Sequence, residues 1–148
     1  MQVTVGELHN AMTTLTQIIN RPRNIPQLAK FRIAKLHTQL SPFYKNNVQN
    51  PQNVLIQQFG EEILDEQGQS KGWGVNEKSP KFKEFQEAWA KEQEKTVDLG
   101  RVSPLTWQSF GDSPVGGIEA NEIVFLGPFV TMPPDEAEVP TEERETNP

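Results

Sequence analysis

The chain has 148 residues, 34% of them hydrophobic, with 14 basic and 20 acidic side chains and a net charge of −6. This length is typical of a single domain, and because globular proteins are usually about 45–50% apolar, we expect a modest core. No apolar run reaches the roughly 18 residues of a membrane span, and the absence of cysteine excludes disulfides, thiol catalysis and thiolate metal sites. The first ten residues lack a basic start and an apolar stretch, so we expect no signal peptide.

The charge is unevenly distributed along the chain. Residues 1–60 carry +5, residues 61–132 carry −6 and residues 133–148 carry −5. The last segment, PPDEAEVPTEERETNP, has too little apolar surface to offset the entropy of ordering, so alone we expect it to be disordered. The simpler interpretation is a solubilising tail, and the functional one is an acidic arm that lies along a basic partner. The acids of this candidate arm are Asp135, Glu136, Glu138, Glu142, Glu143 and Glu145.

The N-terminal part shows helical signals. Thr4 and Glu7 form a capping-box pair ahead of an apolar stripe at helical spacing, which predicts a helix that ends near Asn20. The stripe consists of Leu8, Met12, Leu15 and Ile19. Two prolines within residues 21–26 then disfavour helix at the positions before them.

A second helix is predicted from about Gln27, and Pro42 should kink or end it. Its apolar face consists of Ala29, Ile33, Leu36 and Leu40. Residues 43–53 are rich in asparagine and glutamine and favour no element, although Asn50 could cap a short helix that stops at Gly60. These segments predict an antiparallel helical hairpin with a short extension.

The second half mixes strands and helix. Residues 63–75 resemble two short strands around a glycine-containing turn, and Ser79 with the following proline is predicted to cap a helix. That helix carries an aromatic stripe of Phe82, Phe85 and Trp89. The alternation in Thr96–Leu99 predicts a strand beside the earlier pair.

The order of elements predicts an α+β fold that is mostly helical: a helical hairpin packed with a small antiparallel sheet and a further helix. We expect one domain over residues 1–132, with a helical part at 4–60 and a mixed part at 61–132. Residues 133–148 would form a separate acidic, proline-rich tail, disordered or extended.

The sequence contains few signals of catalysis or of metal binding. The two histidines, His9 and His37, lie on different predicted helices, and Glu7 is the one acid among the first sixty residues, so we predict no metal site and no cofactor. No serine lies in a nucleophile-elbow pattern. We therefore predict no catalytic residues and a protein that is not an enzyme.

The basic N-terminal half offers a candidate contact face made of Arg21, Arg23, Arg32, Lys35 and Lys45. Such a face can attract nucleic acid phosphates. The alternative, which we favour, is charge complementarity with the acidic parts of the molecule or of its oligomer, because nucleic-acid binders usually cluster their basic residues more densely.

Several segments, in order and spacing, resemble a family of small uncharacterised proteins encoded by tailed bacteriophages, over about residues 1–130. The segments are Val3–Leu8, the second helix with Ala29, Ala34, Lys35 and Leu36, then Leu55–Gly60, Asp65–Gly68 and Thr96–Leu99. The family has no catalytic residues to carry over. The asparagine- and glutamine-rich stretch near residues 46–53 and the acidic tail depart from its pattern.

The resemblance implies a non-enzymatic bacteriophage protein that acts by protein–protein contact, as a minor virion or assembly component. Its partners would be other phage proteins, and it would reside in the virion or the host cytoplasm, without a membrane. One alternative is a host-directed inhibitor whose acidic residues mimic nucleic acid and contact a host protein. Another, less favoured, is a nucleic-acid-binding accessory that uses the basic helix pair.

Overall fold

The protein has an α+β fold that is mostly helical, as predicted. The computed structural model describes residues 1–111 and 117–131. The α-helices are α1 (Val5–Ile19), α2 (Gln27–Tyr44), α3 (Asn50–Phe59), α4 (Phe82–Gln93) and α5 (Ala120–Leu126). The strands are β1 (Gln2–Thr4), β2 (Glu61–Leu64), β3 (Ser70–Gly74), β4 (Thr96–Asp98), β5 (Leu105–Thr106) and β6 (Val130–Thr131).

Helix α1 begins at the predicted capping box. The Thr4 hydroxyl accepts the Glu7 amide at 3.0 Å, and the Glu7 carboxylate accepts the Thr4 amide at 2.9 Å. The buried stripe differs from the prediction at its end, because Ile18 is buried whereas Ile19 is 46% exposed. The rest of the predicted stripe is buried, so the first helix and most of its core face are confirmed.

Helix α2 buries the four predicted residues of its apolar face, but it does not end at Pro42. It continues to Tyr44 and passes into a π-helical turn, Lys45–Gln49, which leads directly into α3. The side-chain amide of Asn47 donates to the Phe43 carbonyl at 3.0 Å, and Val48 is fully buried. The amide-rich stretch is therefore helical throughout, because one buried valine anchors it to the core.

Strands β2 and β3 form the predicted antiparallel hairpin. Its turn is closed by Asp65, whose carboxylate accepts the amides of Gln67 at 2.9 Å and Gln69 at 2.8 Å. The hairpin is fastened to α3 by the Trp73 indole, which donates to the Ile56 carbonyl at 3.0 Å.

The contact between Trp73 and α3 leaves no room for a side chain at Gly60. A Cβ there would lie 2.2 Å from the Ile56 carbonyl oxygen and 2.4 Å from Trp73 Nε1. We expect Gly60→Ala to cost about 1–3 kcal/mol, since the hairpin must shift, and to move the Trp73 indole resonance in NMR spectra. Gly6→Ala is the matched control, because its Cβ meets Gln93 at an ordinary 3.4 Å. Equal effects of the two substitutions would contradict this prediction.

Strand β4 corrects the predicted sheet. It pairs antiparallel with β1, not with the β2–β3 hairpin, and Val3 lies opposite Val97. Both valines are buried, so the pairing is stabilised by the one inward residue of each short strand. The pairing extends outward, where the Leu99 amide donates to the Met1 carbonyl at 2.9 Å.

Helix α4 begins at Phe82, three residues after the predicted serine cap. The Ser79 hydroxyl accepts the Lys81 amide at 3.2 Å, so it closes a turn ahead of the helix instead of capping it. The three aromatic residues of the predicted stripe are half-buried, and Trp89 packs against the core.

The C-terminal segment belongs to the same core as the N-terminal helices. Helix α5 packs on α1, the parallel strands β5 and β6 pair with each other, and β5 also lies against α2. Leu126 and Phe129 are fully buried in one continuous apolar cluster that runs from Val3 to Val130. The described part of the chain therefore folds around a single core.

Candidate interaction site

A buried, bidentate ion pair joins the α1–α2 loop to α5. The Arg23 guanidinium donates to both carboxylate oxygens of Glu122, at 2.5 and 2.9 Å, and to the Gly117 carbonyl at 3.1 Å. Only 11% of the Arg23 side chain and 8% of the Glu122 side chain are exposed. The Glu122 carboxylate also accepts the Glu119 amide at 3.0 Å, which completes a capping box at the start of α5.

The surroundings keep both partners of this ion pair charged. Burial by itself raises the pKa of Glu122, but the hydrogen bonds from Arg23 and the Glu119 amide, together with the charges of Arg23 and Arg21, lower that pKa overall. The hydrogen bond to Glu122 raises the pKa of Arg23. The pair is a charge-assisted, bidentate contact. It therefore holds together the α1–α2 loop and α5, whose residues Arg23 and Glu122 are 99 positions apart in sequence.

This ion pair removes Arg23 from the candidate basic face, because its guanidinium is directed into the molecule. The other four predicted residues are exposed but lie in three places: Arg21 in the loop after α1, Arg32 and Lys35 on α2, and Lys45 in the π-helical turn. The structure therefore brings together only Arg32 and Lys35 of the five.

Arg32 and Lys35 belong to a surface that is both charged and apolar. We name it the α2 patch, and it consists of Leu28, Phe31, Arg32 and Lys35. Its members are spaced by three or four residues, so they are neighbours on one exposed side of the helix. Leu28 is 56% exposed and Phe31 is 65% exposed. Exposed aromatic and aliphatic side chains flanked by charge are typical of protein interaction sites.

On the opposite flank of α2 lies a cavity of about 450 Å³, which we name the α1–α2 cleft. Its apolar wall includes Ile18, Ile25 and Ile33, and Arg21 and Lys30 line it as well. Arg21 also lines a neighbouring hollow of about 270 Å³ that contains Glu119 and Glu122. The cleft combines an apolar wall with two exposed cations.

The histidines lie apart from these surfaces. His9 is stacked on Tyr44 at 6.3 Å and meets Trp89 edge-on at 5.8 Å, measured between ring centroids, and burial lowers the pKa of His9. His37 lies 3.4 Å from the Thr16 hydroxyl. Among the described residues, no group of three histidine or carboxylate side chains is placed to hold a metal ion.

The candidate acidic arm lies outside the described residues, so its six acids have no assigned position. Within residues 1–111 and 117–131, no helix is long and apolar enough to cross a membrane. Sequence reasoning missed Glu122, because the N-cap three residues before it is Glu119, and glutamate is not among the serine, threonine, aspartate and asparagine residues that mark a capping box in a sequence. It also missed the cleft, which forms only when α1 and α2 pack together.

The chain was compared with protein-family models, with curated protein sequences and with solved structures, and none of them matches it. The resemblance to a phage protein family, drawn from the sequence, therefore stays a prediction. Any functional assignment depends on the surfaces described above.

Proposed function

We propose that this protein acts by protein–protein contact, as a minor virion or assembly component of a bacteriophage. The α2 patch is its contact surface, and the partner is another phage protein that presents acidic residues around an apolar centre. The resemblance of residues 1–130 to the phage family supports the viral setting.

The observation that carries the proposal is the exposure of Phe31, at 65%, beside Leu28 and two cations. An aromatic side chain that is buried only on binding is a frequent anchor of interfaces, and arginine often accompanies it. Arg32 and Lys35 are matched by acidic groups on the partner, because complementary charge steers association and fixes orientation. Because Arg23 is paired with Glu122, the candidate basic face has too few free cations close together to favour binding of a nucleic acid.

The test places a photo-crosslinking amino acid at Leu28 of the full chain, in infected cells, and identifies what it captures. We expect one phage protein, and Phe31→Ala should weaken its binding by at least about 30-fold, the effect of an interface anchor. The control is Val54, an apolar residue on α3 with 63% exposure. Substituting either exposed residue should leave the folding stability within about 0.5 kcal/mol.

Equal crosslinking from positions 28 and 54 would overturn the assignment of the α2 patch. Capture of a host protein by position 28 would favour the inhibitor alternative. Steeply salt-dependent DNA binding that is lost in an Arg32→Glu variant would favour the nucleic-acid accessory, because counterion release produces that slope. Absence of the chain from purified virions and from assembly intermediates would overturn the structural role.

A further inference from the structure

The α1–α2 cleft places one exposed apolar side chain beside two cations. Ile19 is 46% exposed at the cleft, whereas Ile18, Ile25 and Ile33 in its wall are 9% exposed or less. Covering the exposed part of Ile19 would gain about 25 cal/mol for each Å² of apolar surface removed from water. Neither Arg21 nor Lys30 makes an ion pair with another of the described residues. The complementary ligand is therefore a segment with a branched apolar side chain flanked by acids.

The chain itself contains such a segment. In residues 136–142, EAEVPTE, Val139 is preceded by Glu136 and Glu138 and followed by Glu142. The net charge of −5 over residues 133–148 complements the +5 of residues 1–60.

The last described residue, Thr131, lies within reach of the cleft. Thr131 is the register partner of Thr106, from which a 3₁₀ turn, Trp107–Phe110, leads to Gly111. A Cβ on Gly111 would lie 3.5 Å from Pro26, the residue after Ile25 of the cleft. With strands about 5 Å apart and about 2 Å of rise per 3₁₀ residue, Thr131 lies within about 20 Å of Pro26.

Residues 132–139 can span about 26 Å when extended, which is enough to bring Val139 to the cleft. A tether of this length gives an effective concentration in the millimolar range, so even a weak contact is occupied in the same molecule. We propose that the α1–α2 cleft is a binding site for the chain's own acidic tail, with Val139 in the apolar cavity and the flanking glutamates beside Arg21 and Lys30. This site lies on the opposite flank of α2 from the α2 patch, so its test is independent of the proposed function.

The absence of native cysteine makes the test direct. A Thr141→Cys variant of the full chain is labelled with a nitroxide, and paramagnetic broadening of backbone amides is recorded by NMR. The expected result is loss of signal at Arg21, Ile25 and Lys30, with no loss along α4. Adding Val139→Asp or Lys30→Glu should restore those signals, whereas Lys45→Glu, a charge change away from the cleft, should not.

Two results would overturn the proposal. One is broadening that is absent or spread evenly over the surface, or that persists unchanged with Val139→Asp. The other concerns a mixture of an isotope-labelled chain without a spin label and a separate spin-labelled chain. If the amides of the isotope-labelled chain are broadened as strongly in this mixture as in the singly labelled molecule, the tail binds a second copy of the chain. Because Lys30 and Lys45 are exposed, we expect their variants to keep a dispersed amide spectrum, and the same spectrum verifies the fold of the Val139→Asp variant.

Discussion

Arg23→Met should lower the free energy of unfolding by about 3 kcal/mol, because it leaves the Glu122 carboxylate buried without its partner. Arg21→Met is the matched control: Arg21 is exposed and makes no ion pair with the described residues, so its loss should change stability by about 0.5 kcal/mol or less. Urea unfolding followed by circular dichroism measures both. A cost of Arg23→Met that is no greater than that of Arg21→Met would show that the ion pair does not hold α5 in place.

The double variant Arg23→Met/Glu122→Gln separates the contact from the cost of an uncompensated charge. Glutamine keeps an oxygen that can accept the Glu119 amide, which Glu122 accepts at 3.0 Å. Because no buried charge is left, the double variant should be more stable than Arg23→Met. A double variant that is less stable than the single one would contradict this account.

The same pair predicts a pH dependence. The pKa of Glu122 in the folded protein is lowered from its ordinary value of 4.5. The contribution of the pair to stability is therefore complete above that value and is lost as the pH falls through the folded-state pKa. The free energy of unfolding of the wild type, relative to that of the double variant, should be highest near neutral pH and should fall below about pH 4.5. A difference between the two proteins that does not change on acidification would exclude a contribution from the ionisation of Glu122.

The parts of the fold that the sequence predicts correctly depend on local spacing. The capping box at Thr4 and the buried face of α2 require only neighbours within one or two helical turns. The β2–β3 hairpin is likewise local, since a glycine-containing turn joins two adjacent strands.

The parts that the sequence does not predict depend on contacts between distant residues. Strands β1 and β4 have three residues each. The alternation in Thr96–Leu99 predicts a strand there, but one inward valine per strand does not identify which strand it pairs with. Summing charges over residues 1–60 predicts a basic half, but a sum does not identify which cation meets which acid. Arg23 and Glu122 are 99 residues apart, and only the packing of α5 on α1 brings them together.

The largest loss from a single side chain is expected at Phe129, which is fully buried in the 3₁₀ turn after α5. Phe129→Ala should lower the free energy of unfolding by about 3–5 kcal/mol, through lost burial and the cavity left behind. Phe125→Ala is the control with the same chemical change, and because Phe125 is 52% exposed, it should cost about 1 kcal/mol or less. Urea unfolding of both variants, with amide hydrogen exchange, measures the difference.

The position of Phe129 also connects stability to the reach of the acidic tail. Phe129 lies two residues before Thr131, the last described residue, and four residues before the tail begins at position 133. If Phe129→Ala costs no more than Phe125→Ala, residues 117–131 do not unfold with the helical core, and Thr131 is not held in a fixed position relative to α2. The alternative result is that Phe129→Ala costs much more than Phe125→Ala and that the amides of β6 exchange only on global unfolding. Thr131 would then belong to a rigid element, because such amides open only with the whole fold. The upper limit of about 20 Å between Thr131 and Pro26 then holds in solution, since it follows from strand pairing and 3₁₀ geometry.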